Sequence, residues 1–210
     1  MLIYGHNFTI KNSLVHAEVF TNSPTASMTI VDSEIDGGSD AAQATGTDNV
    51  TILRANIHGN QHTIHCSDNC NVQDSWMHDQ YDGSAQGWHE NGFLTNGGSN
   101  NVLKHNSVGC VGGCTGDISL IPDGNIDHVT IDNNLLLASP ASSYCLYGGH
   151  SDGSKPGTNA YIVVKNNVFQ RGANHKCGFY GPVTSFQSNG TGNQWLGNIW
   201  DDGTVLDPSD

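Results

Sequence analysis

The chain has 210 residues and a net charge of −13, with 7 Lys and Arg against 20 Asp and Glu. That balance argues against a phosphate-neutralising nucleic-acid surface and against an anionic membrane surface. Charged residues are 13% and hydrophobic residues 36%, with 26 glycines, which disfavours solvated helices and fits short strands joined by turns. The length suits one domain, expected over residues 1–210, with a substantial core, and no apolar run is long enough to span a membrane.

Eight related units follow in chain order. "FTIKNSLVH" starts at Phe8, "MTIVDSEID" at Met28, "VTILRANIH" at Val50 and "CNVQDSWMH" at Cys70. "NVLKHNSVG" starts at Asn101, "VTIDNNLLL" at Val129, "IVVKNNVFQ" at Ile162 and "NQWLGNIWD" at Asn193. Anchoring each unit on Ile10, Ile30, Ile52, Val72, Leu103, Ile131, Val164 and Trp195 gives spacings of 20, 22, 20, 31, 28, 33 and 31. The first units are minimal and the later ones carry insertions. A unit of strand, turn and second apolar pair cannot bury its apolar face alone, whereas stacked units share a continuous core. The pattern predicts a solenoid with one coil per unit.

Two columns run through the units. Three residues after the anchor stand Ser13, Ser33, Ala55, Ser75, Asn106, Asn134, Asn167 and Asn198. Four successive Asn at one repeat position predict a ladder of stacked amides. Six residues after the anchor stand His16, Asp36, His58 and His78, and this stripe is expected to be a polar ladder rather than a metal site.

On the strength of the eight units and the Asn column, nearly the whole chain resembles the right-handed parallel β-helix, or pectin-lyase-like, superfamily. It is also similar to secreted β-helix domains of actinobacterial type. The resemblance implies an all-β fold of about eight coils. It leaves activity open, because this fold carries lyases, hydrolases, epimerases, adhesins and tailspikes. The Arg-x-Pro-x-x-Arg segment of pectate lyases and the motifs of polygalacturonase-like hydrolases are absent from the chain.

The second apolar segments are "HTIHC" (from His62), "NGFLT" (from Asn91), "GDISL" (from Gly116), "YCLYG" (from Tyr144) and "KCGFYG" (from Lys176). With Ile64, Phe93, Ile118 or Leu120, Leu146 and Phe179 inward, strand alternation turns His65, Asp117 or Ser119, Tyr147 and Tyr180 outward. His62, His89, Glu90, Asn91, Tyr144 and Lys176 lie at the edge of that face. An elongated face of imidazole, carboxylate, phenol and amine groups suits a polysaccharide. Trp88, His89, Glu90 and Asn91 close the insertion of the fourth coil, a candidate cleft wall.

For β-elimination on an acidic polysaccharide, His65 or His89 would be the base. Lys176, Arg171 or a Ca2+ held by Glu90 and Asp117 would neutralise the uronate, and Tyr147 or Tyr180 would protonate the leaving oxygen. Substrate would be held by His62, Trp88, Asn91, Tyr144, Arg171 and Tyr180. A glycoside hydrolase would instead pair Glu90 with Asp117, with Asp123 in reserve. The non-catalytic alternative is a glycan-binding or structural module of a phage tailspike or cell-surface fibre.

Six cysteines are expected to pair as Cys66/Cys70, Cys110/Cys114 and Cys145/Cys177, the last on neighbouring coils, which implies an oxidising, extracellular setting; the alternative is six reduced thiols in a cytosolic protein. The competing reading, zinc held by Cys66, Cys70, His62 and His65, is weaker, because a Cys-x-x-x-Cys between strands is an ordinary turn staple. The first unit begins almost at Met1, so a missing N-terminal cap region or an oligomer contact is expected there, whereas the polar tail with Pro208 can close the other end.

Overall fold

A computed structural model describes residues 1–209. It is a parallel β-helix whose strands form three parallel sheets of 8 strands, each coil giving one strand to each sheet. Coil 4 shows the plan: His62–Cys66 lies in sheet A, Asn71–Gln73 in sheet B and Trp76–His78 in sheet C.

The eight anchor residues are partners in one unbroken register, Ile10 to Ile30 to Ile52 to Val72 to Leu103 to Ile131 to Val164 to Trp195. All but Trp195 are buried, so the anchor column is the spine of the core. Two residues later the chain turns from sheet B to sheet C through a left-handed residue in every coil: Asn12, Asp32, Arg54, Asp74, His105, Asn133, Asn166 and Gly197. Asn, Asp and Gly tolerate that conformation; Arg54 and His105 adopt it against their preference, at about 1–3 kcal/mol each.

The next residue stabilises the turn. Asn106 Nδ2 donates to Asn134 Oδ1 (2.9 Å), Asn134 Nδ2 to Asn167 Oδ1 (3.0 Å) and Asn167 Nδ2 to Asn198 Oδ1 (2.9 Å). Each Oδ1 also accepts the backbone N–H of the preceding rung, and each Nδ2 donates to a carbonyl of that coil, as Asn134 does to Leu103 O (3.0 Å). The ladder continues downward with smaller groups, Ser75 N donating to Asn106 Oδ1 and Ala55 N to Ser75 Oγ. These amides are buried, and their hydrogen bonds keep them satisfied out of water.

All three expected disulfides form, Cys66–Cys70, Cys110–Cys114 and Cys145–Cys177, so no thiol is left for zinc. Three disulfides fit an oxidising environment. Among the described residues no helix is long and apolar enough to cross a membrane.

The tail folds back over coil 8. Leu206 N donates to Asn198 O (3.0 Å), Trp195 Nε1 donates to Leu206 O (2.8 Å), and Ile199 bridges to Val205. At the other end Met1, Leu2, Tyr4 and Leu14 are exposed.

One expected strand is displaced. The sheet A strand of coil 8 is Gly181–Thr184, not Lys176–Gly181, and Val183 pairs with Leu146 where Phe179 was expected. Phe179 is 59% exposed and Val183 8%. The cause is local: Cys177 is tied to Cys145 with a left-handed φ of 65°, a backbone that cannot continue a strand.

Candidate functional site on the outer face of sheet A

Long connections gather around sheet A in the later coils. Entry into sheet A takes residues 17–18 and 59–61 in two early coils, but 79–90, 109–115, 137–143 and 170–180 later. On the opposite rim, residues 121–125, 149–158 and 185–193 lengthen the exits from coils 6 to 8. The outer face of sheet A from coil 4 to coil 8 is therefore bordered by long loops on both sides, and its middle, Asn91–Thr95 and Gly116–Leu120, is buried throughout.

Two register columns cross that face, one at its edge and one along it. His62 pairs with Asn91 and Asn91 with Gly116; His65 pairs with Leu94, Leu94 with Ser119, Ser119 with Tyr147 and Tyr147 with Thr184. At the coil 4 end the His62 and His65 rings are 5.7 Å apart. At the coil 7 end Tyr144 meets Tyr147 edge-on at 5.5 Å, and Tyr180 from the rim lies 5.7 Å from Tyr144. Phe179 adds an edge contact to Tyr180 at 4.8 Å. The middle is small: a Cβ at Gly116 would lie 2.8 Å from the carbonyl of Tyr144.

Next to the histidines the rims enclose a cleft of about 400 Å³ lined by Gln61, His62, His89, Asn91, Asp123 and Lys155 among others. Lys155 Nζ binds Asp123 Oδ1 (2.7 Å) and Asn96 Nδ2 binds Asp123 Oδ2 (2.6 Å), a clasp joining the coil 7 insertion to the coil 6 loop. Burial, with the nearby His65 and His89 adding to it, pushes His62 down to about 3. Burial also lowers His65, against a hydrogen bond with Asn96 that raises it. Tyr147 is raised by burial.

The other expected site residues fall in different places. Glu90 is fully buried; its Oε1 accepts Gly83 N (2.7 Å) and pins the 79–90 loop. Trp88 packs on Gly83, where any Cβ would come within 2.2 Å of the ring, so it holds the loop rather than paving the outer face. Asp117 is fully buried in the wall, its carboxyl raised well above the usual range by burial, which the amides of Cys110 and Leu137 only partly oppose. Neither Asp117 oxygen has a well-formed hydrogen bond. Neither Glu90 nor Asp117 is accessible from the outer face. The described residues hold one cluster of metal-ligand type, Asp117 with Cys145 and Cys177, and both its sulfurs are spent in the disulfide.

Arg171, Lys176 and Tyr180 line a second cleft of about 530 Å³ near the C-terminal end. There Arg171 bonds Asp202 (2.8 Å) and stacks over Trp200 (4.3 Å). A further concavity of about 730 Å³ follows the corner between sheets B and C beside Arg54, Trp76 and His105. Its charges are already mated, Arg54 to Asp32 and His105 to Asp74, both at 2.6 Å.

The stripe on sheet C is a ladder of imidazoles and carboxylates. His16 contacts Asp36 (3.2 Å), and His58 lies between Glu34 (3.2 Å) and Asp36 (3.8 Å). His78 contacts Asn56 (2.5 Å) and Asp79 (2.9 Å) and stacks on Trp76.

Asn96 and Lys155 were not anticipated. Both sit in turns whose only signal is a charge or amide matched to Asp123 one coil away, a pairing that appears once the coils are stacked. No family model, no curated protein and no solved structure matches this chain.

Proposed function

We propose that the protein is an extracellular carbohydrate-binding β-helix of pectin-lyase-like type that takes a polysaccharide along the outer face of sheet A. The observation that carries this is the tyrosine platform, Tyr144, Tyr147 and Tyr180, on a face bordered by the longest loops of the molecule, 79–90, 149–158, 170–180 and 185–193. Rings with a polar tip suit sugar faces and hydroxyls. Coils 4 to 8 are four strand steps apart, roughly 19 Å at ~4.8 Å per step, room for several sugar residues.

A second reading is favoured by the histidine cleft: lyase-type β-elimination on an acidic polysaccharide, with His65 or His89 as the base and Lys155 beside them. Burial of Glu90 and Asp117 speaks against hydrolysis by that pair and against Ca2+ held by it.

Affinity electrophoresis through gels containing neutral and uronate polysaccharides tests the first reading. At least one polymer is expected to retard the protein, and Tyr144→Ala and Tyr180→Ala are each expected to weaken binding about threefold to tenfold. Retardation by none would overturn it. The second reading is tested by absorbance of unsaturated ends during incubation with the uronate polymers. No unsaturated ends from any of them would remove it.

A further inference from the structure

The histidine cleft contains a residue that is fully buried, polar and bonded in a direction that decides the chemistry of its neighbour. Asn91 is 2% exposed. Its Nδ2 donates to the carbonyl of His89 at 2.9 Å. A carbonyl can only accept, so this end of the amide is the NH₂. The same Nδ2 lies 3.2 Å from His62 Nδ1. An NH₂ group facing a ring nitrogen needs a lone pair there, so Nδ1 carries no proton. Gln61 Nε2 donates to the same His89 carbonyl (3.2 Å), which fixes that carbonyl from a second side.

We infer that Asn91 is a positioning residue that holds His62 in the tautomer with its proton on Nε2, so that the cleft offers an N–H donor to an oxygen acceptor of a bound sugar. The inference rests on reading the sheet A face as a glycan site. The ring nitrogen opposite a fixed partner takes the remaining role, as second-sphere bonds set histidine tautomers elsewhere.

The surroundings agree. The groups facing His62 are His65 on its own strand, Asn91 on the next, and His89 on the rim. Asp123 and Lys155, the charged pair in the cleft, are bonded to each other. Among the described residues no carboxylate touches either nitrogen of His62, so nothing rewards a second proton, in keeping with the strong downward pull of burial.

Two consequences follow. His62 is a hydrogen-bond donor and not a proton acceptor, so in the lyase reading the base is His65 or His89. The acceptor can be a hydroxyl or a carboxylate oxygen, and the neutral and uronate arms of a binding panel separate the two.

The test begins without any sugar. Long-range nitrogen–proton correlation NMR of the imidazole-labelled protein is expected to show His62 protonated at Nε2 alone, with no titration from neutral pH down to about 5. A proton on Nδ1, or titration within that range, would overturn the inference, and this measurement needs no variant to fold. In Asn91→Asp, a carboxylate that can accept from Nδ1–H should move the proton to Nδ1 and raise the His62 midpoint by about 1–3 pH units. An unmoved tautomer in a folded Asn91→Asp protein would show that Asn91 does not set it. With a polysaccharide that retards the wild type, His62→Gln, which keeps an N–H donor, should bind within about twofold of wild type. His62→Ala should bind about fivefold to tenfold more weakly, and equal binding by the two would remove the donor role. If the tautomer is as expected but no polysaccharide binds, the glycan reading and the donor role fail together, while the assignment of the tautomer stands.

Discussion

Sheets A and C both carry histidines on their outer faces, and the two sets obey opposite rules. On sheet C, His16, His58 and His78 each meet a carboxylate from their own or a neighbouring coil. The histidine contacts help hold Glu34 and Asp36 below their usual range. On sheet A, His62 and His65 have no carboxylate partner among the described residues and are instead desolvated between loop rims. Residues of one type, a few positions apart, thus serve as a carboxylate-paired ladder on one face and as neutral hydrogen-bonding groups on the other. The difference comes from the loops: only sheet A in the later coils is walled, and walls remove the water that would support a charge.

The largest test of this contrast compares one residue type on the two faces. Glu90→Ala removes the bond to Gly83 N inside the wall and leaves a buried amide unmet, so chemical denaturation should show a loss of about 2 kcal/mol, with earlier proteolysis in residues 79–90. Glu34→Ala, on the open sheet C, should leave the denaturation midpoint nearly unchanged.

Acidification comes next. His62 binds its proton in the unfolded chain near 6.5 but in the folded protein only near 3. The unfolded state therefore holds more protons between these values, and stability is full above about 6.5 and falls as pH drops. From pH 6.5 to 5 the loss should reach about 1–2 kcal/mol, and His62→Gln should flatten it. The carboxylates of sheet C act in a lower window. Glu34 and Asp36 are depressed when folded, so their contribution is present above their unfolded values near 4 and is lost only as pH falls below them.

The smallest effect is expected on sheet C itself. His58→Gln should change stability by less than about 0.5 kcal/mol, and the difference should fade in high salt. A larger, salt-independent loss would mean that the two faces are less different than their exposure indicates.

Much of the scaffold was legible because repeats expose register. The anchor and the rung position three residues after it, Asn in the last four units, sit at one offset in every unit, so stacking the units aligns both at once. The left-handed turn residue was harder to see, since Arg54 and His105 occupy it in place of Asn or Asp. The coil 8 strand was misplaced because the aromatic pair Phe179 and Tyr180 imitates an inward–outward alternation that the turn at Cys177 prevents. The candidate site was legible only in part. His65 and Tyr147 lie on strands, where alternation and pairing assign the outer face, and His62, Asn91 and Tyr144 start those strands at its edge. Glu90, Trp88 and Asp117 owe their burial to loops folding over them, and no local pattern encodes that. Lys155 gains meaning from Asp123, 32 residues away.

The constant register has a consequence for how the molecule can change size. Coils 1 to 3 present the same edges to their neighbours as the coils that bear the long loops, so the scaffold is divisible in whole turns of about 20 residues, each worth ~4.8 Å of length. Deleting residues 30–51, from one anchor to just before the next, would rejoin equivalent positions and shorten the rod without touching the tyrosines or the histidine cleft. Deletion of half that segment would throw every later side chain onto the wrong face. Length and recognition are thus separable quantities in this protein, and length can change only in whole steps.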